Sequence, residues 1–190
     1  MEKKLKPILR KVIAKLSEKS NTSLKDTKHE LNHIILVLDW LYIIKPKPSL
    51  DLELACLLHD CDRFFPSRRA LKKNFKDYND YKKEHSKKSA KIAGEILKSL
   101  KQIKQIKSVQ DIILNHEFGG NVKSNIVRDC DSLAFFNLEH LYFYFKKNGR
   151  QKTLAKINFM YSRMSPKNKK ILNKNLDLKN YLELISILKK

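Results

Sequence analysis

Only four glycines and five prolines punctuate 190 residues. Sandwiches and barrels need many turn residues, and doubly wound sheets need glycine at their strand ends. The scarcity therefore argues against both and for an all-α chain. Apolar spacing agrees. Leu5, Ile8, Leu9, Val12, Ile13 and Leu16 follow the i, i+3, i+4, i+7 rhythm of an amphipathic helix. A second helix is predicted over 26–44, ended by Lys45-Pro46-Lys47-Pro48. Ser49 caps a third, with Asp51 and Glu53 in the first turn, where the helix dipole favours acids. That helix carries Leu52, Leu54, Ala55, Leu57 and Leu58, is apolar nearly all round, and is expected to be buried. Further helices are expected over 84–100, 109–116, 127–145, 153–164 and 166–188, with breaks at Gly119-Gly120 and Gly149. The length suits a single domain over 1–190, with a packing helix over 1–20 and a helical extension over 150–190.

Composition narrows the function classes. At 42% hydrophobic the chain can fill a core, which argues against global disorder despite a net charge of +21. Such charge invites nucleic acid as a partner. Yet only seven of the 41 basic residues are arginine, the better residue for bidentate contacts to phosphates and bases, and the lysines are spread along the chain. The sequence therefore favours a solvated basic surface whose field concentrates phosphorylated small molecules, over a dedicated nucleic-acid interface. The longest apolar run, 33–44, is too short to cross a bilayer and contains Asp39. The N-terminus interleaves charged and apolar residues, unlike a secretion signal. Cys56, Cys61 and Cys130 lack CxxC spacing and are read as reduced thiols, which implies a cytoplasmic location.

Polar residues set into apolar helices carry the chemistry. His29 and His33 lie on the second helix, His59 and Asp60 close the buried third one, and Asp129 and Asp131 sit in RDCDSLAFF. Imidazoles and carboxylates brought together from separate helices suit divalent Mn, Mg, Fe, Co, Ni or Zn. Burying a carboxylate beside so many leucines is costly unless a cation or hydrogen bonds offset it, and that cost points to a metal.

In order along the chain, DTKHELNH, ACLLHDCDRF, EHSKKSAKIAGEIL, NHEFGG and RDCDSLAFF resemble the H…HD…D pattern of the HD-domain metal-dependent phosphohydrolases. The resemblance covers 26–145, an HD-like core. It implies a helical bundle around a divalent metal, with His29, His59, Asp60 and Asp131 as ligands. His33 and Asp129 are the alternatives; the family spacing favours His29 and Asp131. His85 and His116 match the histidines of a second metal position. Asn115 and Gly119-Gly120-Asn121 depart from the longer signature of the superfamily's cyclic-dinucleotide hydrolases.

The expected activity is hydrolysis of a nucleotide or other small phosphate ester by metal-activated water. Asp60, His85, His116 and Arg63 are the catalytic candidates. Arg63 brings a fork of donors to a phosphate, and the basic loop Arg68, Arg69, Lys72 and Lys73 offers further cations. The alternative is a non-catalytic HD-like domain that binds RNA or a nucleotide through its basic surface. His140 and the aromatic residues of 135–145 are expected to serve packing.

Overall fold

The computed structural model describes residues 5–175, which form eight α-helices and no strand. The chain divides between Arg128 and Asp129 into two compact units. The predicted single domain and its 26–145 core both run across that division.

The first unit is built on α3 (Leu50–Leu58). Seven of its nine residues are buried, as the all-round apolar pattern requires. Helices α1 (Pro7–Lys19) and α2 (Leu24–Ile44) pack on it, as do α4 (Tyr78–Ser99) and α5 (Ile103–Asn115). Leu9, Val12 and Leu16 line the inner face of α1, and Ile34, Val37, Leu38 and Leu41 that of α2. Ala93, Ile96 and Leu97 do so on α4, and Val109, Ile112 and Ile113 on α5. Each fully buried aliphatic side chain contributes roughly 1.5–3 kcal/mol over exposure.

Local chemistry sets the helix ends. Ser23 caps α2, its hydroxyl accepting from the Asp26 amide at 3.1 Å. Asp77 caps α4 by accepting from the amides of Asn79 and Asp80, so α4 begins six residues before the predicted 84. The last turn of α4 closes with Lys101 at φ 58 and a hydrogen bond from the Gln102 amide to the Leu97 carbonyl at 2.8 Å.

Helix α6 (Val122–Phe135) runs across the division between the units. In the second unit, α7 (Leu138–Ser162) follows it and α8 (Pro166–Asn175) comes last. The single helix expected over 127–145 is thus interrupted. Asn137 is the reason: its side chain accepts from the His140 amide at 3.2 Å and starts a new helix. Gly149 breaks α7 as expected, with φ 76 and ψ 174, a conformation that L side chains avoid. Phe135 and Phe136 are buried, and Phe135 meets His140 and Tyr144 edge to face, as the packing reading expects; Tyr142 turns to solvent instead. The part of the predicted 166–188 helix beyond Asn175 lies outside the described residues. No helix among the described residues is long and apolar enough to cross a membrane.

Candidate metal centre

The polar residues that close α3 meet a ring of histidines. After His59 the backbone leaves the α-helical path at Asp60 (φ −111, ψ 21) and enters a 3-10 turn, Cys61–Phe64. That change of path sends the Asp60 carboxylate inward, where it is 2% exposed. His85 Nε2 donates to its Oδ1 at 2.7 Å, and His116 Nε2 lies 3.8 Å from the same oxygen. Arg63 Nη2 donates to Oδ2 at 2.8 Å, with His59 Nε2 at 3.5 Å and His33 Nε2 at 3.9 Å. Four imidazoles from α2, the end of α3, α4 and the end of α5 therefore converge on one carboxylate. All four are buried, whereas the Arg63 side chain is 36% exposed.

Asp60, His85 and His116 offer ligand atoms within 4.8 Å of one another, and so do His33, His59 and Asp60. These buried groups can hold a metal ion. Tautomer geometry fits that role. Nδ1 of His59 donates to the Cys56 carbonyl at 2.9 Å, and Nδ1 of His116 to the Ile113 carbonyl at 2.6 Å. A ring whose Nδ1 carries the proton has its lone pair on Nε2, and in both rings Nε2 faces Asp60. Nε2 of His116 is fully buried and has no hydrogen-bond partner among the described residues. An orphaned ring nitrogen facing a carboxylate and other imidazoles is the donor set that a divalent first-row ion takes.

Electrostatics divide the histidines. Burial pushes the pKa of His116 down to about 4, so its ring is neutral near pH 7. Burial also acts against charge on His85, but Asp62 and Asp60 outweigh it and hold its pKa well above the ordinary value. Burial would raise the pKa of Asp60; Arg63, then His59 and His85, overcome this and keep it well below the usual carboxylate range. His85 Nε2 therefore carries a proton that a cation would have to displace. Cys61 donates its thiol to the Ser89 carbonyl, and burial pushes its pKa up, which keeps it inert.

The structure brings His59, Asp60, Arg63, His85 and His116 together. It places His33 beside Asp60; His29, one turn earlier on α2, is half-buried and outside both groups of ligand atoms. The two histidines share a helix face at i, i+4 spacing, and only the packing of α2 on α3 decides which one reaches the depth of Asp60. In the second unit Asp131 pairs with Arg163, which also donates to Ser132 Oγ at 2.7 Å. Asp129 accepts from the Ser165 amide at 3.2 Å and from Asn168 Nδ2 at 2.7 Å, at the start of α8. In the basic loop, Arg68 pairs with exposed Glu95 at 2.8 Å, and Lys72 Nζ lies 4.7 Å from the centre of the Tyr78 ring.

Three residues at the site are not among the site candidates drawn from the sequence. Asp62 is 1% exposed and lies 3.0 Å from His85 Nδ1. Lys82 and Glu117 form a buried ion pair, and Glu117 Oε1 is 3.9 Å from His116 Nε2. Their signal was positional: Lys82 precedes His85 by three residues on α4, and Glu117 follows His116 directly.

No curated protein and no solved structure matches the chain. Residues 18–185, which include all of these donors, match DUF4202, described as a domain of unknown function, and the chain belongs to that family.

Proposed function

We propose that this chain is a metal-dependent phosphohydrolase of the HD type, acting on a nucleotide or another small phosphate ester. The observation that carries the proposal is the single buried carboxylate of Asp60 ringed by His33, His59, His85 and His116. A divalent ion bound there supplies a Lewis acid for a phosphoryl oxygen and a water of lowered pKa.

Within the chain, Asp60 provides the anionic donor, and His59 and His116 present Nε2 lone pairs held in place by backbone carbonyls. His85 holds a proton at Nε2 against Asp60, and its ring would be a further donor to a bound ion. Arg63 donates from Nη2 to Asp60, and its Nη1 lies 3.6 Å from Glu30 Oε2; the side chain is 36% exposed, which suits its remaining donors to receive a phosphate oxygen. Phosphoryl transfer depends mainly on positioning and charge stabilisation, and buried donors with one partly exposed guanidinium serve both. The lysine-rich surface favours approach of anionic substrates.

The test has two parts. Purified protein is analysed for bound metal, then assayed against nucleotides and phosphate esters with Mn, Mg, Fe, Co, Ni and Zn. Asp60→Ala is expected to lose both bound metal and hydrolysis. A metal-free Asp60→Ala protein with full activity overturns the proposal. The net charge of +21 favours a second reading, a non-catalytic domain that binds RNA or a nucleotide. That reading predicts binding that weakens steeply with salt and survives a chelator, with no hydrolysis.

A further inference from the structure

We propose that Asp62 is a positioning residue of this centre, fixing the His85 ring so that its Nε2 faces the ion. The inference rests on the metal-centre reading above and concerns how one ligand is held. His59 and His116 lie at helix ends, where unused backbone carbonyls are at hand to take an Nδ1 proton. His85 lies inside α4, whose carbonyls serve the helix itself. Its Nδ1 partner must come from another element, and Asp62 supplies it at 3.0 Å.

The geometry is built on both sides. Asp60 and Asp62 bracket the ring, one at Nε2 and the other at Nδ1. The 3-10 turn that follows Asp60 brings the second carboxylate round behind the ring. Asp62 is itself held: Ser89 Oγ donates to its Oδ1 at 3.2 Å, and the Ala70 amide donates to its Oδ2 at 3.3 Å. Ser89 stands four residues after His85 on the same face of α4, so ring and carboxylate keep one register. A carboxylate behind a ligating imidazole fixes its orientation and raises its basicity more than a carbonyl does.

The experiment titrates Zn2+ into the full chain and its Asp62→Asn and Ser89→Ala variants, with 15N-histidine NMR of the Zn-loaded proteins. Asp62→Asn is expected to bind Zn2+ about 10–100-fold more weakly. Its His85 Nδ1 proton resonance should move away from the downfield position typical of a bond to carboxylate. Ser89→Ala loosens the hold on Asp62 but leaves its carboxylate behind His85, and is expected to weaken binding by less than Asp62→Asn does. The inference is overturned if Asp62→Asn binds Zn2+ as tightly as wild type, or if Ser89→Ala weakens binding as much, which would mark a packing role. Should Asp62→Asn fail to fold, wild type still decides: a Zn-loaded protein lacking the downfield His85 Nδ1 proton overturns it. A wild type that takes up no Zn2+ overturns the metal-centre reading, and this inference with it.

Discussion

A carboxylate buried as deeply as Glu53 or Asp60 has to be matched by donors, and the two are matched in different ways. Glu53, 1% exposed on α3, receives Lys6 Nζ at 2.6 Å and the Tyr42 hydroxyl at 2.8 Å. Burial and that acceptor push the Tyr42 pKa up. Its donors are complete in themselves, so Glu53 reads as architecture. Tyr42→Phe is expected to cost about 1–3 kcal/mol, because one buried acceptor loses its donor; urea unfolding of the two proteins measures it. Asp51 offers a pH test remote from the histidines. Burial raises its pKa, but hydrogen bonds from Lys123 and Ser108 more than reverse this and bring it to about 2. The folded value lies below the unfolded one, so this stabilisation is present above pH 3.8 and is lost as pH falls through about 2. Asp51→Asn should be less stable than wild type by about 1 kcal/mol at neutral pH, since Lys123 is half exposed. The gap should close as both proteins are unfolded at successively lower pH.

At the scale of elements, helix ends carry the information that apolar spacing lacks. The junction between α4 and α5 places Lys101 at φ 58, where a lysine Cβ is disfavoured and glycine is not. Lys101→Gly is expected to stabilise the protein by about 1 kcal/mol, raising Tm by about 2–4 °C in a thermal melt. The start of α7 gives the opposite case. Asn137→Ala removes the cap from the His140 amide and should cost about 1 kcal/mol by chemical denaturation. Spacing alone ran one helix through Asn137, since apolar and aromatic residues continue on both sides. A single capping side chain outweighed that continuity because α7 needs a start, and its first amides need acceptors.

For the whole molecule, the first unit has hydrophobic contacts around α3 and a cluster of imidazoles and a carboxylate at the end of it. If those donors hold an ion, folding and binding are linked. A ligand at about 100 times its Kd adds about 2.7 kcal/mol. Added Zn2+ or Mn2+ should therefore raise the melting temperature of wild type, a chelator should reverse it, and Asp60→Ala should show neither effect. The charge of +21 works against compactness through self-repulsion.

Much of this was legible from residue order. Sparse glycine and proline with apolar residues at helical spacing determined an all-helical chain, since each helix satisfies its own backbone hydrogen bonds locally. The sequence also marked His59 and Asp60, because polar residues ending a largely apolar helix are conspicuous at any depth. Tertiary structure alone decided which groups surround them. His29 and His33 look alike in sequence, and packing of α2 on α3 selected His33 as the neighbour of Asp60. Asp62, Lys82 and Glu117 have no role assigned from the sequence; the 3-10 turn and the meeting of α4 with the end of α5 bury their side chains. Residue spacing reports the face a side chain takes on its own helix; the depth and direction at which that helix meets another are set by the packing of the whole unit.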